Sequence, residues 1–158
     1  MVKINSDFHK IAWEFLLSCL QVKINGGYIS ENEKQIIVSS PWISDLSNKN
    51  LSLNTSLYHG VQMNVRRRLS SLSNVLITLA EYDFDVIVVT SEPGCSKWKR
   101  DWEGLQVERD RNLQKLWSRK GIKIYHSKKS HVKSISTPVG IIDGSANITD
   151  NGFFKNME

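Results

Sequence analysis

His131, Val132 and Lys133 (HVK) are followed by Gly144-Ser145-Ala146-Asn147 (GSAN). On an extended chain, residues two apart project to the same side. His131 and Lys133 therefore share a side, and so do Ser145 and Asn147 if GSAN closes the next strand. Two adjacent strands would then bring an imidazole, an ammonium, a hydroxyl and an amide to one small volume. That set suits a phosphodiester. Imidazole attacks phosphorus or shuttles a proton near neutral pH. The ammonium and the neutral donors hold the non-bridging oxygens as charge builds in the transition state. The sequence shows no cluster of carboxylates to hold a divalent ion, so this chemistry is expected to need no metal and no cofactor.

The elements that must position these groups are readable from periodicity. Phe8, Ile11, Ala12, Phe15, Leu16 and Cys19 recur at helical spacing, with Ser6 or Asp7 as N-cap and Gly26-Gly27 as terminator. Gln35 to Trp42 is a β-branched run that stops at Pro41 and predicts a strand. Ile43 to Met63 predicts a long loop with a helical turn. Arg66 to Tyr82 predicts a second helix, with Leu69, Leu72, Val75, Leu76 and Leu79 on one side. Asp85 to Thr90 (DVIVVT) predicts a strand buried on both faces. A Gly/Pro/Ser/Trp/Lys loop leads into a third helix that Gly121 stops. Ile122 to Tyr125 predicts a short strand, and His131–Ser136 with Val139–Asp143 a hairpin turning at Thr137-Pro138. This order predicts an α/β fold, a mixed sheet with helices on its faces.

At 158 residues, with no repeats and three prolines, the chain is expected to form one domain. Cys19 and Cys95 lie far apart without ligand spacing, which argues against a zinc site and a disulfide framework. Cys19 is expected to be a core thiol. No apolar run reaches the ~18 residues of a membrane span. The N-terminus MVKINSDFHK shows no apolar export core, so a cytoplasmic location is expected. The net charge of +5 is unevenly placed: between Ser96 and Lys133 stand twelve lysines and arginines against four acids. A positive field there would attract a polyanion. Arg111, Lys115 and Arg119, at i, i+4 and i+8, also fit the solvated face of a helix.

HxK followed about a dozen residues later by GSxN resembles the HKD signature of the phospholipase D superfamily. IIVSSPWIS (Ile36 to Ser44) is similar to a core strand of that family's nucleases, and GSANIT-DNG (Gly144 to Gly152) to its GSANLT-xxG pattern. Glu158, eleven residues beyond Asn147 within Asn156-Met157-Glu158, stands where single-motif bacterial members place a glutamate. The resemblance implies a phospholipase D-like domain over residues 1–158, a mixed sheet flanked by helices on both faces. It implies a homodimer pairing two copies of His131, one attacking phosphorus to give a phosphohistidine and the other protonating the leaving oxygen. Lys133, Ser145 and Asn147 would hold the phosphate, and Glu158 would orient His131. The family's motif aspartate is replaced here by Pro138, and the spacing from Lys133 to Gly144 is one residue short.

The expected activity is a metal-independent phosphodiesterase acting on nucleic acid, in the first place DNA. Some short relatives are accessory proteins of DNA modification and restriction clusters, including those that install deazaguanine derivatives. The alternatives are a catalytically inactive nucleic-acid-binding or scaffold subunit and a phospholipid phosphodiesterase. No amphipathic anchoring helix supports the last, and no membrane partner is expected. Lys97, Lys99 and Arg100, beside Trp98 and Trp102, form an aromatic-basic loop able to stack bases and hold phosphates, or to pack onto the sheet. Lys128 and Lys129 extend the basic stretch after His126, itself a substrate contact or a surface histidine. Arg66-Arg67-Arg68 would oppose the macrodipole of a helix they open, which fits an anionic partner or a solvated cluster.

Overall fold

The computed structural model describes residues 4–49, 51–93, 103–128, 131–144 and 147–148. Helix α1 (Ile4–Ile24) leads into strand β1 (Gln35–Ser39). Helices α2 (Thr55–Gln62) and α3 (Leu72–Glu81) then carry the chain to β2 (Asp85–Thr90). Helix α4 (Glu103–Arg119) connects to β3 (Lys123–His126), and β4 (Ser134–Thr137) and β5 (Gly140–Asp143) complete the order.

The five strands form one mixed sheet in the order β3-β2-β1-β4-β5. β1, β2 and β3 are parallel, while β4 inserts antiparallel to β1 and carries β5 on its outer edge. The α/β class and the presence of a hairpin agree with expectation, but β4 starts at Ser134 and not at His131, and the turn falls at Pro138-Val139, one residue later than expected.

Alternation along the strands decides where the core lies. Ile36 and Val38 of β1, Val86 and Val88 of β2 and Ile135 of β4 are buried. Their alternates Ile37, Ile87 and Val89 are only half-buried. Tyr125 is 57% exposed and Ile141 69%. β2 is thus buried on one face and half-covered on the other, not buried on both. Helices account for the asymmetry. α1 packs on α3 and on β4 and β5. Trp117 of α4 donates its indole N–H to the Ser73 hydroxyl of α3 at 2.9 Å. α1, α3 and α4 therefore form a single layer. The mixed sheet with four helices agrees with the expected fold class.

The helix predicted over 66–82 begins only at Leu72. Ser71 caps it by accepting from the Asn74 amide, and the Asp45 carboxylate accepts from the Ser73 amide at 2.7 Å. The preceding residues are held instead by Gln62, whose carbonyl accepts from the Leu69 amide and whose amide donates to the Arg67 carbonyl. Arg67 pairs with Glu81 at 2.6 Å. The three arginines thus stand outside the helix, clear of its positive end. Leu69, Leu72, Val75, Leu76 and Leu79 are all buried as their spacing predicted. Within 43–63 the helical turn is the full helix α2, capped by the Asn54 side chain. α1 starts at Ile4, so Ser6 and Asp7 lie inside it, and Ile11 is 40% exposed. α4 ends at Gly121, whose φ of 84° lets the Ile122 amide reach back to the Trp117 carbonyl. Cys19 is fully buried, and burial pushes its thiol pKa up.

Candidate active site

Parallel β1, β2 and β3 end at one edge of the sheet. Because β4 runs the other way, that edge also holds its start and the end of β5. In open α/β sheets, ligands bind outside the carboxyl ends of the parallel strands. Here those ends are tied together. The Ser40 amide donates to Val89, the Thr90 hydroxyl and the Ser91 amide donate to the Pro41 carbonyl, and the Ser127 amide donates to Thr90. His131 and Lys133 arrive at this edge as the lead-in to β4.

The Gly144 amide donates to the Lys133 carbonyl at 2.8 Å, extending the β4–β5 ladder one step beyond Ser134 and Asp143. Lys133 continues the alternation of buried Ile135 and Thr137, so it takes the helix-bearing side of the sheet. Its ammonium reaches back along the chain and donates to the His131 carbonyl at 2.9 Å. His131 itself is exposed. Asp143 pairs with Ser134 and lies on the opposite, open side, so it does not stand in for the missing motif aspartate.

Ser145, with which Asn147 is expected to share a side, lies outside the described residues. Gly144 sits at the end of β5, but Ile148 bridges to Ile43 beyond the end of β1. Its amide donates to the Ser40 hydroxyl at 3.2 Å, and its carbonyl accepts from the Ser44 amide at 2.9 Å. β5 and β1 are two strand spacings apart, about 10 Å, with β4 between them. Gly144 and Ile148 therefore flank the first residues of β4, with Asn147 next to the bridge. The Asn147 side-chain carbonyl is buried and has no hydrogen-bond partner. A buried acceptor left open in this way costs roughly 1–3 kcal/mol, and any donor placed beside it recovers that.

Gly144 has a steric reason to be glycine. A β-carbon there would lie 2.7–2.9 Å from ring atoms of Phe8, so the ring of α1 packs directly on the backbone where β5 ends. Ser40 is the site residue that sequence reasoning missed. It is 2% exposed and also donates to the Trp42 carbonyl at 2.7 Å. Its only signal is the doubled serine before Pro41.

Of the expected residues, His131, Lys133 and Asn147 are placed at this one edge. Ser145 and Glu158 lie outside the described residues, as do Lys97, Lys99, Arg100 and Lys129. Lys128 is exposed in the bend after β3. No helix among the described residues is long and apolar enough to cross a membrane. Comparison with family models, curated proteins and solved structures finds no match.

Proposed function

We propose that the chain is a metal-independent phosphodiesterase acting on nucleic acid, in the first place DNA, through a phosphohistidine formed on His131. One observation carries the reading. His131 and Lys133 lead into β4, and the open, buried carbonyl of Asn147 lies beside the Ile43–Ile148 bridge, both at the carboxyl edge of the parallel strands, with His131 exposed. Neutral imidazole attacks phosphorus in line with the leaving oxygen, which takes a proton from a second imidazole. Water, deprotonated by that second imidazole, then displaces His131 and releases the phosphate. Lys133 exchanges the His131 carbonyl for a non-bridging oxygen as negative charge develops. The second imidazole comes from another copy of His131 in a two-fold dimer. Ser145 and Glu158 keep the roles the family resemblance implies, in holding the phosphate and orienting the ring. A place in a DNA modification or restriction system fits this activity.

A second reading has its own observation. The Lys133 ammonium is already bonded to a backbone carbonyl, and Pro138 occupies the aspartate position. A non-catalytic nucleic-acid-binding subunit would tolerate both. The test is cleavage of single- and double-stranded DNA in EDTA by the parent protein, His131→Ala and Lys133→Met. Cleavage that survives EDTA, vanishes in the first variant and falls ~100–1,000-fold in the second supports catalysis. Salt-sensitive binding with no cleavage by any of them establishes the binding subunit instead.

A further inference from the structure

A second charged feature lies two strands away from this edge, between α4 and β3. Arg111, Lys115 and Arg119 line one groove with His126, Gln114 and Glu92. The three cations are exposed and form no ion pair among the described residues. Successive members stand four residues apart on one helix, a rise of about 6 Å each. That gives a regular line of positive charge along the groove. Of the acids of the same helix, Glu103, Glu108 and Asp110, the last two are not among the lining residues, and Glu92 just after β2 is the acid that is.

His126 is fixed rather than free to turn away. Its Nε2 lies 2.7 Å from the Gln114 side-chain carbonyl, and the Gln114 amide in turn donates to the Ser91 carbonyl at 3.5 Å. With Nε2–H donating to Gln114, Nδ1 is an acceptor, so the ring borders the groove and leaves the phosphate oxygens to the three cations. The contact joins the middle of α4 to the carboxyl end of β3. The groove therefore opens onto the edge that holds His131. From β3 to β4 is three strand spacings, about 14 Å.

We propose that this groove is a phosphate track, in which Arg111, Lys115 and Arg119 hold successive backbone phosphates of a nucleic-acid strand that passes His126 and whose continuation reaches His131. The substrate class rests on the proposed function; the groove's role in binding is separable from cleavage. A strand is recognised here through charge and spacing, so the track carries affinity and direction, not base specificity.

The test uses the full chain carrying His131→Ala, so that binding is read without turnover. Affinity for a fluorescent single-stranded oligonucleotide and for a duplex is measured by anisotropy across a salt series. Arg111→Gln, Lys115→Gln and Arg119→Gln are combined. A charge-matched control combines Lys49→Gln, Arg66→Gln and Arg68→Gln, three exposed cations outside the groove. The groove variant is expected to bind at least tenfold more weakly, with its log–log salt slope reduced by about 2. The control is expected to stay within twofold of the parent. Equal losses in the two variants, parental binding by the groove variant, or no binding by the parent each overturn the track. Groove-dependent binding without cleavage by the native chain leaves the track standing and removes only the catalytic reading.

Discussion

The Ser40 hydroxyl accepts the backbone amide of Ile148, 108 positions later in the chain, while donating its own proton to the Trp42 carbonyl. One buried oxygen thereby ties the end of β1 to the segment that carries Asn147. Ser40→Ala leaves the Ile148 amide and the Trp42 carbonyl without this partner, at a cost of about 1–3 kcal/mol. The expected result is a melting temperature lower by several degrees, with DNA cleavage reduced further than stability alone accounts for. Ser40→Thr, which keeps the hydroxyl, should recover much of the cleavage. A melting temperature and cleavage rate unchanged in Ser40→Ala would show that the tie positions nothing.

Gly144→Ala tests the close approach of α1. The added methyl meets the Phe8 ring, and overpacking of this kind costs roughly 1–3 kcal/mol. Combining it with Phe8→Leu, which withdraws the ring, should restore part of the loss. Urea unfolding of the two single variants and the double variant gives the coupling directly. Strict additivity would mean that the ring and the glycine do not oppose each other.

Trp117→Phe and Ser73→Ala address the joint between α4 and α3. Ser73→Ala leaves the buried indole N–H unpaired, at about 1–3 kcal/mol. Trp117→Phe removes that donor but also leaves a space where the indole packed. The double variant should be less unstable than the sum of the two, because Ser73→Ala no longer strands a donor. Thermal unfolding measures this, and a sum equal to the parts would deny the bond any role.

The pair between Asp85 and Lys123, 2.8 Å apart, predicts how stability follows pH. Hydrogen bonding to the ammonium holds the Asp85 carboxyl below its ordinary value, and the same bond holds Lys123 above its own. The Asp85 contribution is therefore complete above the ordinary carboxylate range and lost as pH falls through the depressed value. The Lys123 contribution is complete below the ordinary lysine range and lost as pH rises through the raised value. Stability near neutral pH should be flat with respect to this pair. Asp85→Asn should make the loss on the acid side shallower, as read from urea midpoints between pH 3 and 7. An acid limb identical in parent and variant would contradict the prediction.

Strands and buried helix faces were legible because each rests on short-range periodicity. DVIVVT forms β2 over its full length, and the leucine spacing of α3 identifies its buried face before any contact is known. Helix starts were less legible. Arg66 continues a helical pattern, yet the chain waits for Ser71 because Asp45, far away in sequence, supplies a second cap. At the candidate site, the strand expected from His131 begins only at Ser134, so alternation reaches Lys133 through its bond to Gly144 and does not settle the side of His131. Nor does local pattern encode the tie of Ile148 to Ser40 and Ser44 across the sheet.

The insertion of β4 between β1 and β5 also sets an order of assembly. As the chain is synthesised, β1, β2 and β3 with their connecting helices emerge first and can pair through contacts of moderate sequence separation. The strand that closes the other side of β1 emerges about a hundred residues after it, and Asn147 follows later still. Until then β1 presents an unpaired edge of apolar, β-branched residues, the feature by which nascent sheets recruit wrong partners. Ribosome-bound chains stopped before Ser134 should therefore depend on chaperones more than chains stopped after Asp143. The residues proposed to do the chemistry are then fixed only after the parallel strands, so the candidate site forms once β4 has closed on β1.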